Sequence, residues 1–327
     1  MTGRRCTVGG ALTAVAGLGL LHAAGSGAEE FFPIRDENPL LRGFYLPLAS
    51  DARSNDPAML TAALTISNTI NVESRGDENL FVDGESDTLR ISYGDVLAAG
   101  WRYRFTVPLI RDGGGFLDTT IDTWHQLFGL PRGERPYYPK NQLDYFYSGN
   151  GQIHLDHSQT SFGNTATEAG WFAADDDART VSLWGGLEAP TGSTAKLTSD
   201  GAWDAAVWAH MAQRGILWQI GAEAGVVQAF GDELFAGSGH RAAAFMRTAL
   251  TRSLGGWSLR AQIDGQTRRV DSELRFLGPS LQLTLGAAHR LRGRWRVEMG
   301  FMEDLAVNTA PTSVFSSAFM IDETGPM

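Results

Sequence analysis

The chain has 327 residues, 43% of them hydrophobic, 10% aromatic and 20% charged, and that much apolar material excludes a disordered chain. It holds 39 glycines, well above the usual share, at a mean hydropathy of −0.16, which excludes a helical membrane bundle and marks a turn-rich chain. Lys and Arg number 27 against 37 Asp and Glu, a net charge of −10 with no basic stripe, so no nucleic-acid partner is expected.

Arg4 and Arg5 precede an apolar stretch, Ala11 to Leu21, followed by small residues from Ala23 to Ala28. That order is a secretory signal peptide over residues 1–28, its apolar core about half the ~20 residues of a membrane-spanning helix. Cleavage after Ala28 removes the single cysteine, Cys6, and with Arg4 and Arg5 gone the charge moves from −10 to −12. The exported chain is therefore expected to carry no disulfide and no thiolate metal site, and no metal or cofactor is assigned to it. Residues 29–58 are expected to form an N-terminal periplasmic segment.

From Met59 onward the chain alternates with period two, the pattern of a strand with unlike faces. Trp257, Leu259, Ala261 and Ile263 oppose Arg260, Gln262 and Asp264. Leu281, Leu283 and Leu285 oppose Gln282, Thr284 and Arg290, with His289 interrupting the apolar face. Trp295, Val297, Met299 and Phe301 oppose Arg296, Glu298 and Asp304; Trp101, Tyr103, Phe105 and Val107 oppose Arg102 and Arg104. Trp184 and Trp208 break the rule by falling on the polar side. About twelve such strands, mostly near the length a tilted membrane strand needs, predict an all-β fold. The expected architecture is a closed antiparallel transmembrane β-barrel over 59–321, with 322–327 as a C-terminal tail.

Short links alternate with long ones, as periplasmic turns alternate with external loops in such barrels. Residues 73–84, 110–162, 191–201, 231–240 and 271–279 are expected as the long loops. Trp101, Trp218, Trp257 and Trp295 each follow a short glycine link, and four tryptophans at one level predict an interfacial aromatic belt.

Asp36-Glu37-Asn38-Pro39-Leu40, Gly114-Gly115-Phe116-Leu117-Asp118 and Trp124-His125-Gln126-Leu127-Phe128-Gly129-Leu130-Pro131 resemble an uncharacterised family of Gram-negative outer-membrane barrels, a domain of unknown function. The resemblance runs from about Pro33 to Ile321. It implies a barrel fold in the cell outer membrane and supplies no catalytic residues. Chains of this kind usually end on an aromatic residue that the barrel-insertion machinery reads, whereas here Asp322 to Met327 follow the last strand. Removal of the residues after Ile321 is expected to leave assembly intact.

The loop 110–162 is too long to lack structure of its own. Leu117, Ile121, Trp124 and Phe128 fall at helical spacing, with Asp118 placed to cap the start and Gly129 the end. This helix is expected to fold into the barrel mouth as a plug, to lie on the outer rim, or to seal the loop's own core. Asp144 to Asp156 read as a hairpin turning at Gly149-Asn150-Gly151.

The inward charges are the candidate lumen lining. Glu188, Asp204 and Asp304 fall toward the external mouth, Glu223, Arg247 and Asp264 near mid-height, Arg260 and Glu298 lower, and Arg102, Arg104, Arg290 and Arg296 near the periplasmic end. They predict either a salt-bridged network filling a narrow lumen or an open water path. The leading function is a monomeric channel or transporter for small polar solutes, in contact with outer-membrane lipid and lipopolysaccharide. A closed barrel acting as a structural or surface-interaction protein is second. A rim lipid hydrolase using His154, Asp156, His157, Ser158 or Ser161 is third, and no catalytic residue is assigned.

Overall fold

The computed structural model describes residues 31–322 except 51, 52, 57, 130–133, 150, 232, 236–238, 240, 292–294 and 306–312; it describes no side chain at 128, 295 or 313–322. The expected signal peptide, its cleavage site and tail residues 323–327 lie outside the described residues.

Alternating sequence builds one antiparallel sheet of fifteen strands among the described residues. In chain order these are β1 (Met59–Arg75), β2 (Glu78–Ala98), β3 (Trp101–Gly113), helix α1 (Asp118–Phe128), β4 (Asp144–Ser148), β5 (Gln152–Leu155), β6 (Gln159–Phe162) and β7 (Thr165–Asp175). Then come β8 (Arg179–Ala189), β9 (Asp204–Arg214), β10 (Trp218–Ala229), β11 (Ala242–Leu254), β12 (Trp257–Gln266), β13 (Ser280–Arg290), β14 (Trp295–Asp304) and β15 (Ser313–Asp322). β1 pairs with β2, β2 with β3 and β3 with β7. From β7 each strand pairs with the next as far as β15. β15 pairs with β1, from Met59 opposite Asp322 to Asn68 opposite Ser313. The ladder that leaves β1 through β2 thus returns to it through β15.

The two faces differ as the alternation requires. Along β12, Trp257, Leu259 and Ile263 are exposed, while Arg260, Gln262 and Asp264 are buried. Along β10, Trp218, Ile220 and Val226 are exposed, and Gln219, Glu223 and Val227 are buried. Outward residues of β10 continue to Phe230, twelve residues beyond Trp218 and itself exposed. At ~3.3 Å per residue and a tilt of roughly 40° this spans about 30 Å, the scale of a bilayer's hydrocarbon core.

Trp101, Trp218 and Trp257 lie exposed at the short-turn end, and Trp171, opposite Trp101 in the ladder, joins them. The side chain of Trp295 lies outside the described residues. His289, an apparent interruption, stacks on Trp257 at 4.3 Å between ring centroids, and Arg252 covers Trp218 at 4.7 Å. Both are the stacking and cation–π contacts expected of rings at a wet boundary.

Two boundaries differ from expectation. Residues 73–84 form no long loop: β1 and β2 extend until Arg75 faces Glu78 across a two-residue turn, Gly76-Asp77. Gly76 takes the left-handed backbone (φ 54°) that such a turn exploits. The extension is stable because its inward residues Leu80 and Val82 are buried, while β4 pairs along Asn79–Asp83. β3 likewise runs on to Gly113 and receives β6 on Leu109–Asp112.

Leu285 sits mid-strand on the exposed apolar face. Leu285→Arg is expected to destabilise the protein in phosphatidylcholine liposomes by about 2–4 kcal/mol, read as a lower urea midpoint.

Candidate functional site

Residues 31–50, expected as part of a separate periplasmic segment, are buried almost without a break against the inner face of the sheet. The inward side chains are charged and hydroxylated, and a chain segment carrying both charge signs and free peptide groups satisfies them. The segment makes two legs joined by a tight turn, in which Asn38 O accepts from Leu41 N and Arg42 N at 3.0 and 2.8 Å.

On the first leg Phe32 donates its N–H to Gln262 Oε1 at 2.7 Å, and its ring lies 4.5 Å from the Arg260 guanidinium carbon. Gly286 makes room for that ring, since a Cβ there would come within 2.6 Å of it. Glu37 pairs with Arg90 at 2.5 Å, and Asp36 accepts from Gln266 at 2.7 Å. At the turn Arg42 holds both oxygens of Asp112 at 2.7 Å, a bidentate and hence strong pairing. On the second leg Tyr45 N donates to Asp204 at 2.9 Å, and Tyr45 OH to Glu168 at 2.9 Å. Ser50 N donates to Glu223 at 2.6 Å, and Ser50 Oγ accepts from Trp208 Nε1 at 2.7 Å. Arg53 pairs with Asp175 at 3.2 Å beside the short turns.

The candidate lining residues fall as follows. Arg102, Glu188, Asp204, Glu223, Arg247, Arg260, Asp264 and Glu298 are buried on the inner face, and Arg104 is half-buried there. Arg247 pairs with Glu223 at 2.7 Å and Asp264 at 2.6 Å, and Glu223 also lies 3.2 Å from His210 Nδ1. Arg260 and Arg296 converge on Glu298 at 3.3 and 2.9 Å. Glu188 meets Arg35 of the segment at 3.8 Å. Arg104 binds Glu168, and Arg102 donates to the carbonyl of Asp56. Arg290 is exposed at the short-turn end, and Asp304 is half-buried at the other. Between segment and wall, cavities of about 10 and 20 Å³ are left, room for single waters.

Trp184 and Trp208 point inward because the segment is there to receive them. They stack on each other at 6.0 Å and form an apolar cluster with Tyr45, Phe172 and Phe245. Above the turn a second core closes the long-loop end. Leu40, Leu41 and Phe44 of the segment pack with Leu80, Val82, Tyr145, Tyr147, Ile153, Leu155, Phe235 and Phe276. β4 and β5 supply four of these residues and form the expected hairpin, closed by Gly149 N donating to Gly151 O at 3.0 Å.

Helix α1 does not supply the plug. Leu117 and Ile121 are buried, but Trp124 is 48% exposed and its ring meets Phe301 of the outward face at 6.5 Å. The Phe128 side chain lies outside the described residues. Asp118 does not cap the helix; it accepts from Asn68, Arg135 and the N–H of Asn141. Glu85 accepts from the N–H groups of Phe116 and Leu117. Outward polar groups near the tops of β1 and β2 thus draw the start of α1 onto the outer rim. Gly129 ends the helix in the left-handed conformation (φ 64°). His154 and His157 are exposed, each beside a carboxylate, Asp144 at 3.4 Å and Asp156 at 3.2 Å. No group of three or more His, Cys, Asp or Glu residues suited to a metal ion occurs among the described residues.

A family model described as a protein of unknown function, DUF3187, matches residues 30–317. Among curated proteins none matches the chain. Among solved structures, the COG4313 outer membrane channel from Pseudomonas putida F1 is similar at TM-score 0.56 and 12% identity, covering 81% of this chain and 95% of that one. The NanC porin is matched at TM-score 0.47 and 8% identity, over 81% and 100% of the two chains. At 12% identity the likeness to the COG4313 channel is one of fold, that of an outer-membrane β-barrel.

Two substitutions test the buried network. Arg247→Met leaves Glu223 and Asp264 without their shared cation and is expected to cost about 3–5 kcal/mol in urea unfolding. Asp200, in the loop before β9, is raised to about 7 by burial and then by the nearby Asp204. Its folded form holds a proton that the unfolded form releases near pH 4, so its contribution to stability is full below that pH and is lost as pH rises through 7. Asp200→Asn is expected to flatten the pH dependence of the unfolding midpoint between pH 4 and 8 and to raise that midpoint at pH 8.

Proposed function

The chain belongs to the DUF3187 family, which brings no assigned activity, and from the packed lumen we propose that it is an outer-membrane channel or transporter for small polar solutes, held shut by its own N-terminal segment. The reading takes the twelve long strands as a closed transmembrane barrel and the short turns as its periplasmic end. Residues 110–162 form the external loop, with α1 on the rim, and the exported chain works as a monomer after loss of residues 1–28. The circular pairing, the apolar outer face and the tryptophan level support that placement.

One observation carries the channel reading: segment and wall meet through ion pairs and hydrogen bonds as much as through apolar packing. A polar interface can be exchanged for water, because both surfaces remain solvated when they part. The tiny residual cavities favour a second reading, a permanently closed barrel serving as a structural protein.

Planar-bilayer conductance separates the two. The full chain is expected to show little or no current, and a variant lacking residues 31–50 to show stable channels, with its folded state checked by heat-modifiable migration. Arg42→Ala, which frees the turn from Asp112, is expected to raise the frequency of openings without removing the segment. Absence of current in both folded variants would establish the closed barrel.

A further inference from the structure

The second leg is held chiefly by its backbone, and that indicates what the wall is built to bind. The carbonyl of Tyr45 accepts from Arg269 at 3.0 Å, and that of Pro47 from Arg247 at 3.2 Å. The carbonyls of Leu48 and Ala49 accept from Arg104 at 2.8 and 2.5 Å. The N–H groups of Tyr45 and Ser50 go to Asp204 and Glu223. From Leu46 to Ala49 the side chains carry no polar atoms, so every hydrogen bond the wall makes there is to a peptide group.

The pairing follows from the inventory of each group. A guanidinium only donates and a carboxylate only accepts, so arginines take carbonyls and acids take N–H groups. The arginines also stay oriented by partners within the wall: Arg104 by Glu168, and Arg247 by Asp264 and Glu223. Their remaining N–H groups would still point inward after the segment left. Glu223, Asp204 and Arg247 are each at least nine-tenths buried, which makes this a built site and not a chance surface contact. A sugar hydroxyl can meet either group singly, but only a peptide backbone repeats carbonyl and N–H at the spacing that residues 45–50 show against these arginines and acids.

We propose that the vacated lumen binds short extended peptides through their backbones, with residues 45–50 occupying that site in the closed state. The inference rests on the channel reading above, since the segment must be able to leave. Specificity is for backbone over side chain: unrelated peptides of similar length compete for the same groups.

The test uses the variant lacking residues 31–50, folded and placed in planar bilayers. Three probes are added: a capped hexapeptide with the sequence of residues 45–50, a capped hexapeptide of unrelated apolar sequence, and a neutral hexasaccharide. Both peptides are expected to block the current at a concentration at least about tenfold below the saccharide, and Arg104→Met to weaken that block about tenfold or more. Equal block by the saccharide, block by the 45–50 sequence alone, or no block of a conducting channel would overturn the proposal and leave the channel reading standing. Peptide binding is read in parallel from the fluorescence of Trp184 and Trp208 in detergent. Binding there without any current would support the site and refute the channel. Should the deletion variant fail to fold, the full chain with Arg42→Ala is titrated with the same probes, with the same expected order.

Discussion

An ionised group enclosed away from water must have a partner, and this chain places many of them on the inner face of its sheet. Leaving one buried ion unpaired costs several kcal/mol. The wall solves part of the problem itself, as in the triad of Glu223, Arg247 and Asp264. Residues 31–50 supply further partners. Arg42 neutralises Asp112, Glu37 neutralises Arg90, Arg35 approaches Glu188, and the segment's N–H groups reach Asp204 and Glu223. Wall and segment are therefore electrostatic halves of one object.

The same segment links the polar lumen to the apolar cap above it. Leu40, Leu41 and Phe44 stand at the tip of the turn and pack among the aromatic and aliphatic residues of β4, β5 and the upper loops. Displacing the tip would expose that cluster to water, at roughly 1.5–3 kcal/mol for each large side chain uncovered. Arg42, two residues before Phe44, fixes the tip through Asp112 and the carbonyl of Leu197. Displacement of the tip would therefore disturb the ion pairs below it and the apolar cap above it together.

Much of the sheet was legible because period-two alternation depends only on neighbouring residues, and β9 to β14 run within a few residues of where the alternation placed them. The occupant of the lumen was not legible, because a long-range partner leaves little local pattern. Two signals pointed to it. Trp184 and Trp208 stand at inward positions, where rings of that size need something to pack against, and they meet each other and Tyr45. Gly186 carries the other signal: a Cβ there would come within 2.2 Å of Tyr45 Oη, so the wall is hollowed for the segment. Residues 29–58 read as a periplasmic segment, whereas Arg35, Asp36, Glu37 and Arg42 are buried against the inner face of the sheet. The helical spacing of Leu117, Ile121 and Trp124 located α1 but did not say what it would lie against. That was decided by outward polar groups, Asn68 and Glu85, which bind Asp118 and the N–H groups of residues 116 and 117.

The claim that residues 31–50 fill the lumen is tested most directly by amide hydrogen exchange on the full chain in lipid. The N–H groups of Phe32, Tyr45 and Ser50, each bonded to a buried wall side chain, are predicted to exchange as slowly as the amides of the paired strands around them. Exchange of those three at the rate of an unprotected chain, with the strands still protected, would contradict the account.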